Sequence, residues 1–153
     1  MAQYEQPQAK FIRLSDSELT VANPAEDVRG RKVIDSESEE VGEVDDLLLD
    51  DRETKVRFLE VASGGFLGLG ATKFLIPVEA ISQISDDVVR LNQMRQHIAG
   101  APRYDPDLIY QDAAEGALTG TGYYEGIYRY YGYPPYWMAG YMYPPYPYYR
   151  RPV

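Results

Sequence analysis

The sequence predicts an all-β fold, a small barrel or sandwich followed by a low-complexity tail, and three observations carry that reading. Between Asp27 and Leu91 short runs of β-favouring residues alternate with tight polar turns. Inside that stretch a glycine-rich loop leads into Phe74-Leu75-Ile76-Pro77. Beyond about residue 116 the composition turns abruptly to tyrosine, proline and glycine. Short strands at this spacing favour a closed sheet, because closure removes unpaired edges.

The N-terminal arm, residues 1–26, is glutamine-rich at first and then reads Phe11-Ile12-Arg13-Leu14, an apolar stretch suited to a strand or a packed arm. Ser15 to Leu19 reads as a turn or helix start, and Asn23-Pro24 as a break. The first barrel strand is expected over Lys32–Asp35, with a polar turn at Ser36–Glu40. Val41-Gly42-Glu43-Val44 leads into Asp46-Leu47-Leu48-Leu49-Asp50, where the continuous apolar run predicts a buried strand, closed by the charged turn Asp50–Glu53.

Val56, Phe58, Leu59 and Val61 suit a third strand, since branched and aromatic residues pack well on a pleated surface. Lys73 to Val78 is a fourth, and Pro77 belongs at a strand end or edge because it has no N–H for a ladder. Ile81–Ile84 and Val88–Leu91 flank the turn Ser85-Asp86-Asp87. Asn92 is placed to cap a short helix over Gln93–Ile98 that Gly100 and Pro102 stop. Tyr104-Asp105-Pro106 reads as the exit turn. The domain is therefore expected over 27–107, with 108–153 as a tail.

Residues 123–149 contain 12 tyrosines, with Pro134-Pro135, Pro144-Pro145 and Pro147 among them, and Tyr133-Pro134-Pro135-Tyr136 is echoed by Tyr143-Pro144-Pro145-Tyr146. The prolines interrupt regular hydrogen bonding, so an extended or disordered tail is expected.

With 153 residues there is room for one ordinary domain and a tail. The net charge of −9 repels phosphate backbones and argues against general nucleic-acid binding. There are no cysteines, so disulfides, thiolate nucleophiles and thiolate metal sites are excluded. No secretory signal is expected from Met1–Pro7, and no apolar run is long enough for a membrane-spanning helix. A cytoplasmic protein without a membrane span follows as the expectation.

Residues Gly30 to about Tyr104 resemble the PRC-barrel family. Four pieces carry the resemblance: the opening Gly30-Arg31-Lys32-Val33-Ile34-Asp35, then Val41-Gly42-Glu43-Val44-Asp45-Asp46-Leu47-Leu48-Leu49-Asp50, then the glycine loop Gly64–Gly70 leading to Phe74-Leu75-Ile76-Pro77, and last Ala101-Pro102-Arg103-Tyr104. The resemblance implies a small, highly bent antiparallel β-barrel that docks to other macromolecules, often self-associates, and carries no active site with the fold. Family members include a photosynthetic reaction-centre subunit, whose membrane helix is not found in this sequence, and a ribosome-maturation factor, whose second domain before the barrel is not found either.

Several candidate sites can be weighed on residue chemistry. Gly65–Thr72 has the outer glycines of a phosphate loop, but Ala71 stands where the lysine belongs, and Lys73 where a dinucleotide loop needs its third glycine. Gly64, Gly65, Phe66, Leu67, Gly68, Leu69 and Gly70 read instead as an interface loop, with large apolar residues held among glycines. Tyr136, Trp137 and Tyr146 are the tail's candidate contact residues, since tyrosine and tryptophan combine a broad apolar ring with a polar tip. Ten carboxylates between Asp35 and Glu53 lack the register of a calcium loop and read as a solvated outer face. Arg29-Gly30-Arg31-Lys32 reads as a solvated turn, and His97, the only histidine, as an ordinary helix residue.

The function expected is a non-enzymatic interaction or assembly module, homodimeric, with unknown protein partners, no cofactor and no bound metal. The alternatives are an RNA- or ribosome-associated factor, or a small-ligand binder, which a basic face around Arg29, Arg31, Lys32, Lys55, Arg57 and Lys73 would favour. An enzyme would need a concave pocket with two convergent acids and a carboxyl of raised pKa.

Overall fold

The computed structural model describes residues 11–16, 27–50, 55–63, 72–104, 120–138 and 141. The chain is mostly β-sheet. Strand β1 (Phe11–Arg13) runs into a 3-10 turn at Leu14–Asp16, and is followed by β2 (Lys32–Ile34), β3 (Glu40–Asp50), β4 (Val56–Ala62) and β5 (Lys73–Pro77). A second 3-10 turn, Val78–Ala80, turns the chain into β6 (Ile81–Ile84); β7 (Val88–Leu91) and the helices α1 (Arg95–Ala99) and α2 (Gly120–Tyr131) complete it.

The strands hydrogen-bond in the order β5-β4-β3-β2-β7-β6. The long β3 organises the sheet. β4 lies along one edge of it from Glu43 to Leu49, while β2 occupies the other edge at its start and β1 at its end. Two expectations need correction. The sheet is mixed and not purely antiparallel, because β2 pairs with β7 in parallel. It is also an open path and not a closed barrel: β5 and β6 end it, joined covalently through the Val78–Ala80 turn. Closure is replaced at β5 by a cover, since Phe74 forms an isolated bridge with Arg103 and the Tyr104 N–H donates to the Lys73 carbonyl at 2.9 Å.

The interior follows from the apolar runs. Leu47, Leu48, Phe58, Leu59, Val61, Phe74, Leu75 and Ile76 are buried together across β3, β4 and β5. Pro77 closes an edge strand, as its missing N–H requires. Gly42 is needed for a different reason: a Cβ there would sit 2.1 Å from the Ala62 carbonyl oxygen, so only glycine lets β3 and β4 approach.

The expected helix forms over Arg95–Ala99, but Asn92 does not cap it. Asp35, sixty residues earlier in the chain, supplies the acceptor for the Arg95 N–H at 2.8 Å. Asn92 instead donates to the Tyr133 hydroxyl at 2.9 Å.

The largest departure is in the tyrosine-rich region. An extended or disordered tail is expected there, yet Gly120–Tyr131 is a 12-residue helix. Tyr124, Ile127, Tyr128 and Tyr131 recur at helical spacing and all join the hydrophobic core. Gly122 and Gly126 each weaken a helix by about 1 kcal/mol relative to alanine, so packing and not intrinsic propensity holds α2 in place. Tyr143–Tyr149, and with them the second Tyr-Pro-Pro-Tyr echo, lie outside the described residues.

Candidate functional site

Two breaks in the β3–β4 ladder place charged residues inside the sheet. The register skips Asp45 between the pairs Val44↔Val61 and Asp46↔Glu60, and skips Arg57 between Leu48↔Phe58 and Leu49↔Val56. Bulges of this kind bend a strand and re-aim the side chain of the extra residue. Each carries an ionic cluster built on buried acids, Asp46 and Glu60 at the first and Asp50 at the second.

At the first bulge, Glu60 is fully buried and takes two cations. Arg13 Nη2 lies 3.0 Å and Lys73 Nζ 3.3 Å from its Oε2. Arg13 Nε also reaches Asp46 Oδ2 at 3.3 Å, and Lys73 Nζ reaches Asp45 Oδ2 at 2.8 Å. Asp46 accepts further from the N–H groups of Ser15 and Leu47 and from the Ser15 hydroxyl. Burial, joined by a hydrogen bond with Asp45, pushes the Glu60 carboxyl above its ordinary value although both cations pull it down. The Glu60 and Lys73 hydrogen bonds hold Asp45 below its own.

At the second bulge, Arg57 Nε donates to Asp50 Oδ1 at 3.0 Å, with both side chains buried. The guanidinium stacks 4.0 Å from the Tyr136 ring centroid, a cation–π contact. Tyr141 beyond it hydrogen-bonds Glu79 through its hydroxyl. Burial pushes the Glu79 carboxyl up, against the opposing pull of that hydrogen bond.

These clusters correct the reading of the acidic run as a solvated face, because Asp35, Asp46 and Asp50 are buried within it. A strand that looks charged in sequence hides its acids where bulges and turns supply donors. They also occupy several of the cations whose basic face would favour the RNA or small-ligand alternative. Arg57 is buried against Asp50, Lys73 is bound to Asp45 and Glu60, Arg29 pairs with Asp27 and Lys32 with Glu40. Arg31, in the same turn, donates to the Ser85 carbonyl at 2.7 Å.

Of the candidate contact residues, Gly64–Gly70 and Tyr146 lie outside the described residues. Tyr136 and Trp137 are described, and both are half-buried on the body of the fold. Tyr136 touches Phe11, Trp137 and Arg57, and Trp137 also meets Tyr128 edge-on. His97 stacks on the Tyr130 ring at 4.3 Å and its Nε2 lies 3.2 Å from the Tyr130 carbonyl, which ties α1 to α2.

Convergent acids with one raised carboxyl are thus present at Glu60, but neither of the two described cavities is lined by that residue. One, of about 410 Å³, is bounded by Asp35, Glu37, Glu39, Met94 and Arg95; the other, of about 490 Å³, by Gly30, Lys32, Glu40, Gly42 and Asp87. No group of three or more metal-ligating side chains is found among the described residues.

Sequence reasoning missed Glu60 and Glu79, which stand alone among apolar neighbours. Their isolation in otherwise apolar runs was the one available signal. The family model of the PRC-barrel domain matches residues 21–98, just over half of the chain. No curated protein matches it.

Proposed function

The chain belongs to the PRC-barrel domain family, and we propose that it acts as a non-catalytic interaction and assembly module that self-associates. One observation carries the reading: the sheet is an open path whose terminal strand β6 hydrogen-bonds only to β7 among the described residues. An open edge is a template for a further strand, from a second copy or another protein. The ion pairs of Arg13, Arg57 and Lys73 support the same reading, since they are spent joining strands. Met94 and Met138, 46% and 54% exposed, add apolar surface outside the sheet. The glycine loop at 64–70 and a protein partner remain part of the proposal through their chemistry.

Sedimentation of the full chain across micromolar concentrations tests it. A dimer that dissociates on Gln83→Lys supports the reading, because Gln83 is exposed on β6 and a lysine on an edge strand discourages pairing. A monomer at every concentration overturns self-association.

A further inference from the structure

The first bulge holds more acid than its cations balance. Asp45 and Asp46 from β3 and Glu60 from β4 face Arg13 from β1 and Lys73 from β5. Asp16, on the 3-10 turn after β1, touches Arg13 only at 3.7 Å and from the solvent side. Three carboxylates against two cations would leave an excess negative charge around a residue that is 0% exposed. Burying an uncompensated charge is expensive, and such a group takes up a proton instead.

A second, independent observation places that proton. Glu60 Oε2 receives both Arg13 and Lys73, while Glu60 Oε1 is buried with no donor among the described residues. Lys73 Nζ bridges the two groups, 2.8 Å from Asp45 Oδ2 and 3.3 Å from Glu60 Oε2, so the two carboxyls are held side by side on one ammonium. Two acceptors cannot satisfy one another. If one is protonated, the contact becomes a hydrogen bond and the cluster becomes neutral.

We propose that Asp45 and Glu60 form a proton-sharing carboxyl–carboxylate pair, in which Glu60 donates to Asp45, and that loss of the proton is a pH-sensitive switch on the β3 bulge. Asp46 is not the partner, because its oxygens already accept from the N–H groups of Ser15 and Leu47 and from the Ser15 hydroxyl. When the proton leaves, two like charges face each other beside Lys73. Asp45, the half-exposed member and the unpaired residue of the bulge, is the one free to turn toward water. The directions of titration agree: burial and the Asp45 contact raise Glu60, and the Glu60 contact lowers Asp45. Glu60 therefore contributes stability below its ordinary value that is lost as pH rises through its folded value. Asp45 contributes stability above its ordinary value that is lost as pH falls. The pair is strongest in between.

Carboxyl-carbon NMR titration of the full chain tests the pair directly. Glu60 is expected to titrate above the ordinary 4.5 and Asp45 below the ordinary 3.8, with coupled curves. Asp45→Asn is expected to lower the Glu60 midpoint by removing the like charge. Glu60→Gln, whose amide can donate as the acid does, is expected to flatten the fall in urea midpoint that the parent shows as pH rises through the folded value of Glu60. Glu60 titrating at or below 4.5 would show an ordinary ion pair with Arg13 and overturn the proposal. A Glu60 midpoint that Asp45→Asn leaves unmoved would overturn it too. The wild-type titration decides the matter even where a variant fails to fold.

Discussion

Arg57 shows how one side chain can serve two layers at once. It is 2% exposed, bonded to Asp50 on the β3 side and stacked under Tyr136 on the other. Burial works against its charge, and Asp50 restores it, so the guanidinium stays protonated. Asp50 also accepts the Lys55 N–H at 3.0 Å, which fixes the end of β3 to the start of β4. Arg57→Ala leaves that buried carboxylate without its cation and is expected to cost about 3–5 kcal/mol, read as a lower urea midpoint. Asp50→Ala should cost less on the Arg57→Ala background than alone, and a double-mutant cycle measures that coupling. Additive losses would mean that the two side chains do not act as a unit. Neither residue announces this role in the sequence, where Asp50 looks like the first acid of a surface turn and Arg57 like one of a set of surface cations.

Among the elements, the short strands were legible and the last helix was not, and the reason is physical. Strands β2, β4, β5, β6 and β7 fall within a residue or two of where branched and aromatic runs placed them. The β1 segment Phe11–Arg13 was readable as apolar but not as a pair for Leu48–Asp50, because register between distant segments leaves no local trace. Helix α2 was missed because tyrosine reads as a sticky tail residue and because the prolines that follow dominate the composition.

The helical signal was nevertheless present, in the spacing of Tyr124, Ile127, Tyr128 and Tyr131 before the first of those prolines. At the centre of that face, Tyr128 packs on Phe58 at 5.0 Å between ring centroids, and its hydroxyl is buried without a hydrogen-bond partner among the described residues. Tyr128→Ala should therefore cost about 3–5 kcal/mol, as for other large buried aromatics. Tyr128→Phe keeps the packing and removes an unsatisfied hydroxyl, so its thermal midpoint should match or exceed that of the parent. A large loss on Tyr128→Phe would show that the hydroxyl is bonded after all.

On the scale of the whole molecule, separate pieces are tied by acids that accept backbone N–H groups most strongly when ionised. Asp35 is the clearest case. It directly follows β2, accepts the Glu37 and Glu39 N–H groups at 2.8 Å through Oδ1, and accepts the Arg95 N–H at 2.8 Å through Oδ2. One carboxylate thus holds both the β2–β3 turn, where Ser38 adopts a positive φ of 68°, and the start of α1. Burial opposes its charge, but the three N–H donors together outweigh that and lower its pKa. An acid lowered by folding contributes stability above its ordinary value, and that contribution is lost as pH falls through the folded value. The full chain should therefore lose thermal stability steeply as pH drops below 3.8. Asp35→Asn keeps the Oδ1 acceptor for the turn but turns an amide toward the Arg95 N–H. It should melt lower at neutral pH and fall less on acidification, converging with the parent in acid. Parallel curves for the two proteins would mean that some other carboxylate controls the acid limb, and that the junction between the sheet and α1 does not depend on this charge.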